Sequence, residues 1–127
     1  MTRHLPTAAR TLMGLIFFVF GLDGFLHVIP APDSVPAGAA AFGGALLNTG
    51  YMFPLIKGTE VVAGALLLAN RYVPLALAVI APVVVNIVAF HAFLAPSGLV
   101  LAAVVMALEV YLAWTRRDAY RPMLAAR

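Results

Sequence analysis

Seven side chains with ionisable or amide groups lie inside stretches of sequence that are otherwise apolar. They are the candidates for chemistry: Asp23, His27, Lys57, Glu60, Asn86, His91 and Glu109. The segment KGTEVVAGALLL, residues 57–68, shows the contrast, because Lys57 and Glu60 stand three residues apart in a run that is apolar to its end. Placing a charged side chain at the centre of a bilayer costs a few kcal/mol of free energy. We therefore expect each of these groups to have a polar partner or a function.

Helical spacing groups most of these side chains together. Asp23 and His27 are four residues apart, and Lys57 and Glu60 are three apart, so each pair shares one face of a helix. Counting a rise of about 1.5 Å per residue from the ends of the apolar segments puts all of them except Glu109 in one layer near one membrane boundary. The sequence therefore predicts an outward polar pocket that binds a ligand through Asp23, His27, Lys57, Glu60, Asn86 and His91.

Other interpretations of the same residues stay open. Lys57 and Glu60 could instead form a buried ion pair that fixes the register of the helices. Two histidines and two carboxylates in this layer are ligand types for zinc or a non-haem metal, and two histidines on different helices could hold haem. No HExxH or ExxH spacing is present, so we predict no metal centre. Glu109, deeper than the others, is the candidate for a proton relay, and the sequence identifies no catalytic residue.

Four apolar segments must position these groups. Of the 127 residues, 64% are hydrophobic and 10% are charged, which is not the composition of a soluble domain. The segments run at about 10–29, 51–69, 72–94 and 98–114, and each approaches the roughly 20 helical residues that cross a bilayer. We therefore predict an all-α fold: a polytopic membrane protein whose single domain, residues 1–127, is a bundle of four transmembrane helices.

The basic residues and the first loop complete the predicted topology. Every arginine falls on one side of the membrane if there are four spans, so both termini are predicted to be cytoplasmic. After three prolines, residues 37–47 have apolar side chains at helical spacing. They predict a short interfacial helix between the first two spans, which either covers the outward end of the bundle or lies on the surface. Asp23 and His27 interrupt the first apolar run, so we expect no cleaved signal peptide.

Four stretches of the sequence carry a resemblance to a known family. They are GLIFFVFGLDGF, YMFPLIKGTEVVAGALLLANRYVPLALAVIAP, VNIVAFHAFL and LEVYLAWTRRDAYRP. Through them, over residues 12–122, the chain resembles the DoxX-like family of small four-helix bacterial membrane proteins. The resemblance implies a bacterial inner (plasma) membrane location and a place in a redox or stress-related membrane complex. The family pattern covers Lys57, Glu60, Gly64, Asn86 and His91, whereas Asp23 and His27 come from spacing alone.

The expected function is the binding of a quinone-like or other small amphipathic ligand, beside a redox-enzyme partner subunit. Lys57 or His91 would polarise a quinone carbonyl. Glu60 or Asp23 would relay a proton, and Asn86 would orient the ring. The chain has no cysteine, and we expect no intrinsic cofactor beyond a bound quinone.

Two alternative functions remain: a non-enzymatic assembly or interaction protein, and a pathway for a small solute or for protons. Whether the chain is an enzyme and whether it forms a homo-oligomer are left open by the sequence. Membrane lipid is an expected partner. The net charge of +3 reflects topology and gives no reason to expect a nucleic-acid partner.

Overall fold

The structure, a computed structural model, describes residues 2–127 as a set of α-helices with no β-strand in that range. The helices are α1 (Leu5–Leu26), α2 (Ala37–Asn48), α3 (Met52–Ala69), α4 (Val73–Phe93), α5 (Leu99–Thr115) and α6 (Arg117–Leu124). Among the described residues, four helices are long and apolar enough to cross a membrane: α1, α3, α4, and α5 with the 3-10 turn Pro96–Gly98 before it. The predicted all-α, multi-pass bundle is confirmed.

The helix boundaries differ from the predicted segments mainly near the N-terminus. α1 begins at Leu5, well before the predicted start at 10, and Pro6 in its first turn has the backbone angle that a helix start requires. α1 ends at Leu26, before the predicted end at 29. α2 confirms the short helix predicted at 37–47. α6 was not predicted, because its polar sequence RDAYRPML has no apolar run that signals a span.

Glycines bring α1 and α3 into close contact. Gly14 and Gly21 of α1 lie against α3, and Gly64 of α3 lies against α1. A Cβ at Gly64 would lie 2.5 Å from the backbone nitrogen of Phe18 and 2.9 Å from the carbonyl oxygen of Gly14. Small residues therefore set the separation of these two spans, as they do in other membrane helix pairs.

The apolar core runs along the axis of the bundle between α1, α3, α4 and α5. Its largest fully buried side chains are Met13, Phe17, Leu67, Val73, Leu77, Ile80, Val84 and Leu112. α4 packs against both α3 and α5, whereas α1 packs much more extensively on α3 than on α5. The side of the bundle between α1 and α5 is consequently its more loosely packed side.

The two ends of the bundle differ in their polar contacts. We call the end that carries the start of α1, the α3–α4 connection and α6 the terminal end, and the end covered by α2 the α2 end. At the terminal end, the Arg10 guanidinium donates to the carbonyl oxygen of Leu67, and the Tyr120 hydroxyl donates to the carbonyl oxygen of Pro74 at 2.7 Å. The Arg10 contact is made with a carbonyl in the last turn of α3, where intrahelical donors run out. The Tyr120 contact ties α6 to the first turn of α4.

Candidate functional site

A cavity of about 390 Å³ lies inside the bundle at the α2 end. Its volume is within the range of small-molecule pockets, about 300–1,000 Å³. All five helices from α1 to α5 contribute to its wall, which is mostly apolar and includes Phe17, Phe20, Phe42, Phe53 and Phe90. The wall also contains polar side chains, namely Lys57, Glu60, Asn86 and His91. The structure thus brings four of the six residues of the predicted pocket to one cavity.

Lys57 and Glu60 form an ion pair on the cavity wall, with 3.2 Å between Nζ and Oε2. The Glu60 side chain is 6% exposed and that of Lys57 is 23% exposed, so the charges attract each other more strongly than they would in water. The stem of Lys57 crosses α1 at Gly24, where a Cβ would lie 2.6 Å from Lys57 Cδ. Because an ammonium group has three N–H donors, Lys57 can bind Glu60 and still donate to a ligand.

His91 is held in a defined tautomer. Its Nδ1 lies 2.8 Å from the carbonyl oxygen of Ile87, one turn earlier in α4. A carbonyl oxygen only accepts, so Nδ1 carries the proton and Nε2 of the neutral ring is an acceptor. The ring also fits against Gly98, where a Cβ would lie 2.7 Å from Nε2. His91 therefore lines the cavity with its Nδ1 bound within α4 and the Nε2 edge of its ring against Gly98.

Asn86 reaches the same cavity from an exposed position on α4. It stands five residues before His91, which separates the two side chains by about 140° around the helix. Both reach the cavity because its wall includes a broad face of α4, beginning at Val83. The Asn86 amide can donate and accept, so it can bind a ligand group of either kind.

Asp23 and His27 do not line this cavity. Asp23 Oδ1 accepts the backbone N–H groups of Val28 and Ile29, both at 2.7 Å. His27 is exposed and adopts a left-handed conformation with φ of 54°. The spacing argument treated residues 10–29 as one regular helix, whereas the structure uses Asp23 and His27 to end α1.

Glu109 is buried in α5 but lies outside the cavity. It stands one helical turn beyond Val105, an apolar residue of the cavity wall. Within residues 2–127, its Oε2 is a buried atom without a hydrogen-bond partner. No group of three or more His, Cys, Asp or Glu side chains in this range is placed to hold a metal ion.

The contribution of α2 to the site was only partly visible in the sequence. Phe42, Gly43 and Leu46 line the cavity, and the Phe42 ring lies 5.5 Å from the Phe90 ring of α4, centroid to centroid. The helical spacing of Phe42 and Leu46 indicated an apolar face, but the surface that this face covers depends on the fold. α2 forms part of the cavity wall at its end of the bundle.

No protein-family model matches this chain, and no curated protein or solved structure matches it either. The resemblance to the DoxX-like family stays a prediction from the four sequence motifs.

Proposed function

We propose that this protein binds a small amphipathic ligand with a carbonyl-bearing or hydroxyl-bearing ring, of which a quinone is the main example. The observation that carries the proposal is the placement of the Lys57–Glu60 ion pair and the His91 ring on the wall of one largely apolar cavity that includes five phenylalanines. A ligand of this class would place its ring between apolar side chains and its oxygens against a few convergent polar groups.

The donors and acceptors on the wall suit both the oxidised and the reduced ring. A quinone carbonyl accepts, and the Lys57 ammonium donates to it. A quinol hydroxyl donates, and Nε2 of His91 or the Glu60 carboxylate accepts from it. Because Nδ1 of His91 already donates to the Ile87 carbonyl, only Nε2 is left for a ligand, and Lys57 is the charged donor on the wall that can polarise a carbonyl. That role is assigned to Lys57, while a redox partner subunit would supply electrons, as the DoxX-like resemblance implies.

We place the α2 end on the outer side of a bacterial inner (plasma) membrane, with both termini in the cytoplasm. Support comes from the arginines, which lie at the terminal end, and among residues 2–127 Lys57 is the only lysine or arginine near the α2 end. The chain has no cysteine, so Ser34→Cys and Arg127→Cys each introduce one thiol. An impermeant maleimide added to intact cells should label Ser34→Cys alone. Labelling of Arg127→Cys instead would reverse this orientation.

Mass spectrometry of an organic extract tests the binding proposal. Wild-type protein purified in mild detergent should retain one defined quinone or related amphiphile at near-equal stoichiometry. The variant Lys57→Met/Glu60→Gln should stay folded and lose it. The matched control, Asp118→Asn/Arg121→Gln, removes a surface ion pair of the same three-residue spacing, with 3.4 Å between Nε and Oδ1, and should retain the ligand.

Bulk lipid alone from all three proteins would contradict ligand binding. It would favour the alternative of an assembly protein that docks another membrane protein, in which the Lys57–Glu60 pair fixes the register of the helices.

A further inference from the structure

We propose that the ligand reaches the cavity sideways from the bilayer, through a gap between α1 and α5 that Phe20 and Leu101 flank. We also infer that it carries an apolar tail, which stays in this gap. Both inferences rest on the proposed ligand-binding function. They narrow the ligand class to amphiphiles dissolved in the membrane, and they define the path that such a molecule takes.

Phe20 marks one side of the gap. Met13 and Phe17 are 0% and 1% exposed on the core-facing side of α1, and helical spacing continues this side to Phe20. Phe20 lines the cavity, yet 43% of its surface is exposed. Three residues that line the cavity are exposed: Phe20, Leu101 and Asn86. Asn86 lies on α4 and has a polar side chain, so the two apolar residues mark the part of the wall that suits a molecule dissolved in hydrocarbon.

Leu101 marks the other side. Ala102 and Val105 line the cavity from α5 and are buried, whereas Leu101 lines the same cavity and is 50% exposed. α1 runs toward the α2 end and α5 runs away from it, so the last two turns of α1 lie beside the first turns of α5. Phe20 and Leu101 therefore flank the same opening, on the loosely packed side of the bundle.

Two other approaches to the cavity are covered. Phe42 and Leu46 of α2 form part of its wall at the end of the bundle, and Phe42 contacts Phe90. Along the α1–α3 contact, a Cβ at Gly21 would lie 2.9 Å from the backbone nitrogen of Val61, so the two helices leave no space for a ligand.

The side between α1 and α5 faces hydrocarbon in a membrane, because the four long helices of the bundle are membrane spans. A molecule that enters there must dissolve in hydrocarbon before it binds. An apolar tail meets that requirement, and in the gap it contacts Phe20 and Leu101 while the polar ring meets Lys57 and His91.

The test uses the 127-residue chain in lipid nanodiscs and a decylubiquinone analogue with a diazirine at the end of its tail. After irradiation, peptide mass spectrometry locates the labelled residues. Labelling that an excess of decylubiquinone suppresses is counted as specific. We expect specific labelling of α1 and α5 around Phe20 and Leu101.

A tryptophan in the gap should obstruct it. Leu101→Trp is expected to lower specific labelling by roughly tenfold. Leu55→Trp is the matched control, because Leu55 is 57% exposed in the first turn of α3 at the same end and does not line the cavity. Phe20→Trp obstructs the gap from its other side, so it replaces Leu101→Trp if that variant does not elute from gel filtration as folded protein.

Two results would overturn the inference, and they are distinguishable. Specific labelling of α2 around Phe42 and Leu46, with Leu101→Trp equal to Leu55→Trp, would exclude sideways access and leave ligand binding standing. A wild-type protein with no suppressible labelling in any helix would overturn sideways access together with quinone binding.

Discussion

Lys57 Nζ lies 3.2 Å from Glu60 Oε2, one helical turn apart on α3 and on the wall of a cavity that is otherwise largely apolar. Two charges in such a place depend on each other, because either one alone would be a poorly hydrated ion. Their mutual attraction fixes a donor and an acceptor before a ligand arrives. Because the donor and the acceptor are already in place, a ligand that fits them binds with a smaller free-energy cost for ordering the site.

The ion pair makes a prediction about stability. Lys57→Met should destabilise the protein by about 3–5 kcal/mol, because it leaves the Glu60 carboxylate buried without its partner. Lys57→Met/Glu60→Gln should unfold closer to the wild-type temperature, since no charge is left unpaired. Thermal unfolding in one detergent compares the three proteins. Equal unfolding temperatures for the single and the double variant would contradict a buried, mutually dependent pair.

The close contact between Gly98 and the His91 ring leads to a prediction about ligand retention. Gly98→Ala introduces a Cβ that would lie 2.7 Å from Nε2, so the imidazole must move from its position on the cavity wall. Loss of one hydrogen bond to the ligand should then weaken retention by about tenfold. Retained ligand is measured by mass spectrometry of the extract. Gly44→Ala is the control, since a Cβ there meets open space, and equal retention by the two variants would show that the His91 position is unimportant.

The close packing of α1 and α3 at Gly64 leads to a prediction about the stability of alanine variants in α3. Gly64→Ala should cost about 1–3 kcal/mol, because its Cβ would overlap the backbone of α1 at Phe18. Gly58→Ala, in the same helix and with open space at its Cβ, should stabilise the protein by about 0.5–1 kcal/mol. Thermal unfolding of both variants checks the opposite signs. A shift of the same sign and size in both would mean that helix propensity alone decides the outcome.

The spans and four of the six pocket residues followed from the sequence because each depends on regular helix geometry. Apolar segments of membrane length fix the number of spans, and spacing fixes which side chains share a face. Asp23 and His27 were assigned to the pocket by the same geometry, which stops applying at Leu26, where α1 ends. The packing of His91 against Gly98 and the gap beside Phe20 depend on neighbours from other elements of the fold, which spacing does not specify.

Tyr120 makes the attachment of α6 sensitive to pH. Burial raises the pKa of Tyr120 above its ordinary value, the nearby Glu109 carboxyl raises it further, and Arg116 opposes this. A pKa that is higher in the folded state means that the stabilisation is complete below the ordinary tyrosine pKa of about 10 and is lost as the pH rises through the raised value. The fluorescence of Trp114, the single tryptophan, should therefore change in an alkaline titration.

Two variants separate this effect from general alkaline unfolding. Tyr120→Phe removes the hydrogen bond to the Pro74 carbonyl, so the alkaline transition should disappear and trypsin should cleave faster after Arg117, at the start of α6. Tyr111→Phe, which removes a different tyrosine hydroxyl, should keep the transition. Persistence of the transition in Tyr120→Phe would rule out Tyr120 as its source.

The most direct measurement is a titration of decylubiquinone against the 127-residue chain in nanodiscs, with uptake by empty nanodiscs subtracted. We predict saturable binding that approaches one quinone per chain. The Lys57→Met/Glu60→Gln variant should bind at least about tenfold more weakly, because charged donors and acceptors contribute about 1.5–3 kcal/mol each. The Asp118→Asn/Arg121→Gln variant should bind as the wild type does. Uptake that does not saturate and is equal in all three proteins would contradict the proposal, because the quinone would then only be dissolving in the bilayer.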